Sequence, residues 1–180
     1  LDYIERTLAA DHSESVGMER IRQWIFEPGI PEGAPVPRSE AFAGIEPVRN
    51  EWLSGRIAAE DIDAGNWTYH HWKRFLDGMP EQLRRDKLED LDQAFRLTAA
   101  PNNEIAFSWL RIAIRNGYDP AFGRLEEFLR AIGRTKFIGV LYKDMMDAGM
   151  EDMAIRIFEE ARPTYHPLAA KEIATTISGQ

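Results

Sequence analysis

The sequence predicts an all-α chain: an αα superhelix of about eight to nine antiparallel helices, a solenoid in which each helical pair buries its apolar face on the next. Three observations carry this expectation. Apolar residues recur at steps of three and four, as in Ile21, Trp24 and Ile25 and again in Leu88, Leu91 and Phe95, which gathers them on one face of a helix. No stretch reads convincingly as a strand. Gly117, Gly133 and Gly149 fall sixteen residues apart, each placed where a C-terminal glycine would end a helix-length segment.

Taken in order, Leu1-Asp2-Tyr3-Ile4-Glu5-Arg6 reads as helix with no cap before it, and the chain opens on Leu rather than Met. Residues 1–16 are therefore expected to be the tail of a preceding domain with a polar linker around Asp11, His12, Ser13 and Ser15, and residues 17–180 the helical domain. After the stripe of Ile21, Trp24 and Ile25, Pro28, Pro31, Pro35 and Pro37 demand an extended loop, because proline cannot donate to a helix. Thr68 is placed to cap, and Gly78 to end, a short helix near Trp67, Trp72 and Phe75, aromatics expected in the core. Four helices follow at about 103–116, 120–132, 134–147 and 150–162. Asp119 is expected to cap the second, with Pro120 as its first residue. A last helix follows Pro167. Such short links force neighbouring helices antiparallel.

Composition narrows the function classes. With 30 acidic against 22 basic residues and a net charge of -8, a broad surface tracking nucleic-acid phosphates is disfavoured. There is no cysteine, so no disulfide framework or thiolate metal site is available, which fits a cytoplasmic setting. No apolar run approaches the ~20 residues that span a bilayer.

Catalytic patterns are scarce. A zinc peptidase helix needs two histidines one turn apart with a glutamate between them, whereas His12, His70, His71 and His166 offer no such pair, and adjacent His70 and His71 point in different directions on a helix. Asp61, Asp63 and Gly65 resemble a calcium loop, but the glycine comes one position early and Trp72 occupies the place of the bidentate glutamate. There is no nucleophile elbow and no phosphate-cradling loop. Paired carboxylates such as Glu126 and Glu127, or Asp90 and Asp92, are expected to be exposed helix charges.

One constellation stands apart. Arg134 and Lys136 follow Gly133 directly, in the first turn of the next helix, where positive charge opposes the macrodipole. Free N–H groups of that turn, joined by a guanidinium fork and an ammonium, would make a corner for a carboxylate. The alternative reading keeps both as solvated charges, paired with Glu127 or Asp144.

These residues carry a family resemblance. Asn102-Asn103-Glu104-Ile105 with Phe107, Trp109, Leu110 and Arg111, then Gly133-Arg134-Thr135-Lys136-Phe137 and Leu141-Tyr142-Lys143-Asp144, resemble the C-terminal domain of leukotriene A4 hydrolase and related zinc aminopeptidases. Trp24-Ile25-Phe26-Glu27-Pro28-Gly29-Ile30-Pro31 and His166-Pro167 are similar to further segments of that family. The resemblance implies an armadillo-type superhelix packed against a thermolysin-like zinc domain, closing its active-site cleft. It also implies that Arg134 and Lys136 hold the free carboxylate of a short peptide or fatty-acid substrate. Thr135 departs from the bulkier apolar residue expected between them. Catalysis, zinc, general base and oxyanion groups would all belong to the preceding domain of the parent chain, with no metal and no catalytic residue here. The competing expectation is a free-standing αα-repeat adaptor binding a protein or peptide.

Overall fold

Nine α-helices, joined by short 3-10 turns, make up most of the described chain, and no strand occurs among the described residues. The computed structural model describes residues 1–8, 17–31, 34 and 40–179. The chain divides into two compact units, residues 1–39 and 40–180. In the first, a turn starting at Asp2 continues as a π-helix over Ile4–Leu8, and α1 spans Met18–Phe26. The expected stripe on α1 finds no burial: none of its residues is buried, and Trp24, Ile25 and Phe26 are exposed. The polar linker around Asp11 to Ser15, and the part of the proline loop holding Pro35 and Pro37, lie outside the described residues.

The second unit holds α2 (Ile45–Leu53), α3 (Tyr69–Asp77), α4 (Arg85–Phe95), α5 (Asn103–Arg115), α6 (Phe122–Ala131), α7 (Thr135–Asp147), α8 (Glu151–Ala161) and α9 (Pro167–Ser178). The four helices predicted from 103 to 162 fall within two residues of α5 to α8. The helices α3, α5, α7 and α9 pack side by side in one row, with α6 against α8 in a second. Ion pairs fix the register. Glu104 meets Lys136 near the starts of α5 and α7, and Arg111 meets Asp144 farther along both, so those helices run parallel. Glu126–Arg156 and Arg130–Glu160 set α6 and α8 parallel in the same way. Parallel helices two apart in sequence, joined by short turns through an intervening helix, are the signature of an αα superhelix.

Burial explains why α5 sits centrally. Ala106, Trp109, Leu110, Ala113 and Ile114 are enclosed, packing at the three- and four-residue steps of a face that meets α3, α6 and α7. Each enclosed large aliphatic residue contributes about 1.5–3 kcal/mol relative to exposure. The indole of Trp109 donates to Thr98 Oγ1 at 2.9 Å, and Thr98 in turn donates to Asp92 at 2.7 Å, so the buried N–H is satisfied. Trp67, Trp72 and Phe75 form an aromatic cluster against the core, with ring centroids 4.9 and 5.2 Å apart for the two Trp67 pairs.

Three helix boundaries depart from the sequence reading. Gly117 (φ 61°) and Gly149 (φ 72°) take the left-handed conformation, but Gly133 does not. There α6 ends on Ile132 in extended geometry, and the chain stays extended at Arg134, so no left-handed residue is needed. Asp119 does not cap α6: its carboxylate accepts from Arg85 Nη1 at 2.7 Å, and residues Asp119–Ala121 form a 3-10 turn before α6 begins at Phe122. Gly78 does close α3, but with a right-handed φ of -87°. Its lack of a side chain instead admits the Arg49 guanidinium, which fills the space where a Cβ would stand.

Candidate functional site

The turn between α6 and α7 is built from an extended stretch, Ile132 to Arg134, that delivers Phe137 into the core while leaving its neighbours outside. Phe137 is buried, touching Phe107 and Phe128 with centroid separations of 5.0 and 5.9 Å. Arg134, Thr135 and Lys136 are exposed. Both cations gather on the Phe137 ring: Lys136 Nζ lies 4.5 Å and Arg134 Cζ 5.4 Å from its centroid, where the quadrupole of the ring attracts positive charge. Arg134 is the N-cap residue of α7; its guanidinium has no acceptor to cap with, and its carbonyl takes the Phe137 N–H at 2.9 Å, so the first-turn donors that the capping residue leaves open are the N–H groups of Thr135 and Lys136. The site thus joins two cations to the positive end of a helix.

A depression of about 300 Å³ opens beside this turn, lined by Asn102, Asn103, Glu104, Gly133, Arg134 and Phe137 among others. Its opposite wall is the start of α5. The Asn102 side chain accepts from the N–H of Glu104 at 2.9 Å, capping the helix and fixing where Glu104 stands. From there the Glu104 carboxylate pairs with Lys136. No carboxylate among the described residues pairs with Arg134 in this way.

The expected partners of the basic turn are therefore corrected. Glu127 pairs with Arg124, and Asp144 accepts from Arg111 Nε at 2.7 Å with Arg115 Nη2 at 3.7 Å, so neither serves Arg134 or Lys136. Glu104 was the residue that spacing alone did not single out for this role. The usable signal was the cap: Asn102 fixes Glu104 on the first turn of α5, and parallel packing of α5 and α7 then aligns it with Lys136. Thr135 is exposed, so a bulkier apolar residue at this position would face solvent rather than the core.

His12 lies outside the described residues, and the other three histidines serve backbone and rings. His71 Nδ1 accepts from the Thr68 N–H at 3.2 Å, and His166 Nδ1 accepts from the Leu168 N–H at 3.2 Å, closing the starts of α3 and α9. His70 stacks near Tyr69. No group of three His, Asp or Glu residues able to hold a metal ion occurs among the described residues. A larger depression of about 490 Å³ lies between α2 and α3, lined by Glu46, Arg49, Lys73, Arg74 and Asp77 among others. There Lys73 pairs with Asp77, and Arg49 Nη1 donates to the Arg74 carbonyl at 3.3 Å, while Arg49 Nε is buried without a hydrogen-bond partner.

A family model described as Leukotriene A4 hydrolase, C-terminal, matches residues 67–177. Leucine aminopeptidase 2 of Chaetomium globosum is 24% identical over 149 residues, which cover 80% of this chain and 24% of that protein. Leucine aminopeptidase 2 of Pyricularia oryzae is 22% identical over 175 residues, covering 93% and 28%. Native yeast LTA4 hydrolase matches with a TM-score of 0.71 at 18% identity, covering 94% of this chain and 32% of that one. The yeast LTA4 hydrolase complex with bestatin matches with a TM-score of 0.69 at 17% identity, covering 97% and 31%. These structural likenesses establish a shared fold. The chain spans about a quarter of the length of these curated relatives.

Proposed function

Because the chain belongs to the leukotriene A4 hydrolase C-terminal family, we propose that it is the accessory C-terminal domain of a cytoplasmic zinc aminopeptidase, closing the active-site cleft and anchoring the free carboxylate of a short peptide through Arg134 and Lys136. The observation that carries this reading is the pair of cations held on one ring at the N-terminus of α7, beside a depression that Arg134 and Phe137 line. A carboxylate entering there gains a guanidinium fork, an ammonium and first-turn N–H groups. Its partners are the catalytic domain of the same parent chain and the substrate. Zinc would be supplied and held by that other domain, since the described residues of this one do not fit a metal site. This domain contributes orientation: fixing the far end of a peptide sets where its scissile bond lies.

The reading is supported by relatives named as aminopeptidases and tested with two proteins. The 180-residue chain alone is expected to cleave no aminoacyl substrate, while the parent cleaves it and Arg134→Ala in the parent lowers kcat/KM about 10- to 100-fold, the range for losing a hydrogen bond to a charged group. Peptidase activity in the 180-residue chain, or an unchanged kcat/KM in the variant, would contradict it.

A further inference from the structure

We infer that Glu104 is the resident counter-ion of this corner and sets its selectivity, admitting monoanionic peptide ends and discriminating against dianionic ones. The inference rests on the carboxylate-anchoring reading and deepens it. Glu104 and Lys136 are paired, each only partly exposed, with side-chain exposures of 28% and 48%. The backbone of Glu104 is fixed, because Asn102 caps its N–H at 2.9 Å at the start of a helix with a buried inner face. Glu104 also lines the depression, together with Arg134.

The charge at the corner follows. Arg134 and Lys136 together carry two positive charges, and Glu104 cancels one. A ligand with one carboxylate therefore completes neutrality with Arg134 and shares Lys136. A ligand with two, such as a peptide ending in aspartate or glutamate, brings its second charge toward the Glu104 carboxylate and meets the repulsion twice over. Glu104 also stabilises Lys136 when no ligand is present, offsetting the unfavourable placement of a cation at the start of α7.

The test uses the 180-residue chain and three probes: acetyl-trialanine, acetyl-Ala-Ala-Glu, and acetyl-trialanine amide, followed by NMR shifts of the Thr135, Lys136 and Phe137 amides at low ionic strength. Glu104→Gln keeps the side-chain shape and removes the charge. It is expected to tighten the monoanion about threefold, the scale of a partly exposed ion pair, and the dianion by about the square of that factor, since repulsion doubles with ligand charge. Raising the salt concentration should shrink both gains, which a merely structural role would not show. Equal affinities for wild type and Glu104→Gln, with Lys136→Met still weakening the acid probes, would overturn the role of Glu104 and leave the anchoring reading standing. If acid and amide probes shift these amides alike, the anchoring reading falls as well.

Discussion

Asp144 shows how much one residue can organise. It is 9% exposed and receives Arg111 at 2.7 Å and Arg115 at 3.7 Å, tying α5 to α7 through a carboxylate removed from water. Replacing it leaves the partly covered Arg111 and Arg115, one turn apart on α5, without that carboxylate. Asp144→Ala is therefore expected to cost about 2 kcal/mol, less than a fully buried pair because the arginines reach solvent, and urea unfolding measures it. The buried tyrosines set the alkaline limit. Burial, and next the Asp92 carboxylate that its hydroxyl meets at 3.2 Å, push Tyr118 up to about 12. Burial likewise raises Tyr142 and Tyr165, whose hydroxyls lie 3.3 Å apart, with Tyr165 donating to the Leu129 carbonyl at 2.5 Å. A folded-state value raised above that of the unfolded chain holds stability flat below about pH 10 and drains it as pH rises through about 12. Stability measured against pH should show that fall, reduced in Tyr118→Phe.

At the scale of elements, the glycine repeat separates what spacing reveals from what it hides. Three glycines sixteen residues apart marked three helix ends in the sequence, and all three lie at or near such ends, but only Gly117 and Gly149 are left-handed. Spacing reports where a helix stops; it does not report how the chain leaves, because an extended exit such as Ile132 to Arg134 satisfies the same boundary. Gly117→Ala and Gly149→Ala are accordingly expected to lose about 1 kcal/mol each from forcing a Cβ into the left-handed region. Gly133→Ala, whose added methyl would meet nothing within 4 Å, should be neutral or slightly stabilising. Thermal unfolding of the three variants separates the cases. Arg96 presents the converse: a non-glycine at φ 53° ending α4, with its N–H bonded to the Asp92 carbonyl at 2.8 Å. Helix-ending arginine carries no sequence mark of left-handed geometry, so this bend was not legible.

At the scale of the whole molecule, helix number and the boundaries of α5 to α8 were legible because apolar periodicity, glycine and proline act within one helix. The two rows were legible only as a class. Which cations meet which carboxylates was not, since Glu104–Lys136 spans 32 residues and arises from the parallel register of alternate helices. That register puts the start of α5 beside the start of α7, and the depression with its basic turn lies where the two starts meet. Anchoring of a substrate carboxylate there is the central claim. The measurement that tests it most directly compares, in the full parent enzyme, kcat/KM for a tripeptide and for its C-terminal amide, with and without Lys136→Ala. The account predicts that the variant loses about tenfold or more on the free acid and little on the amide, since only the acid meets the ammonium. Equal losses on both substrates, or none on either, would contradict it.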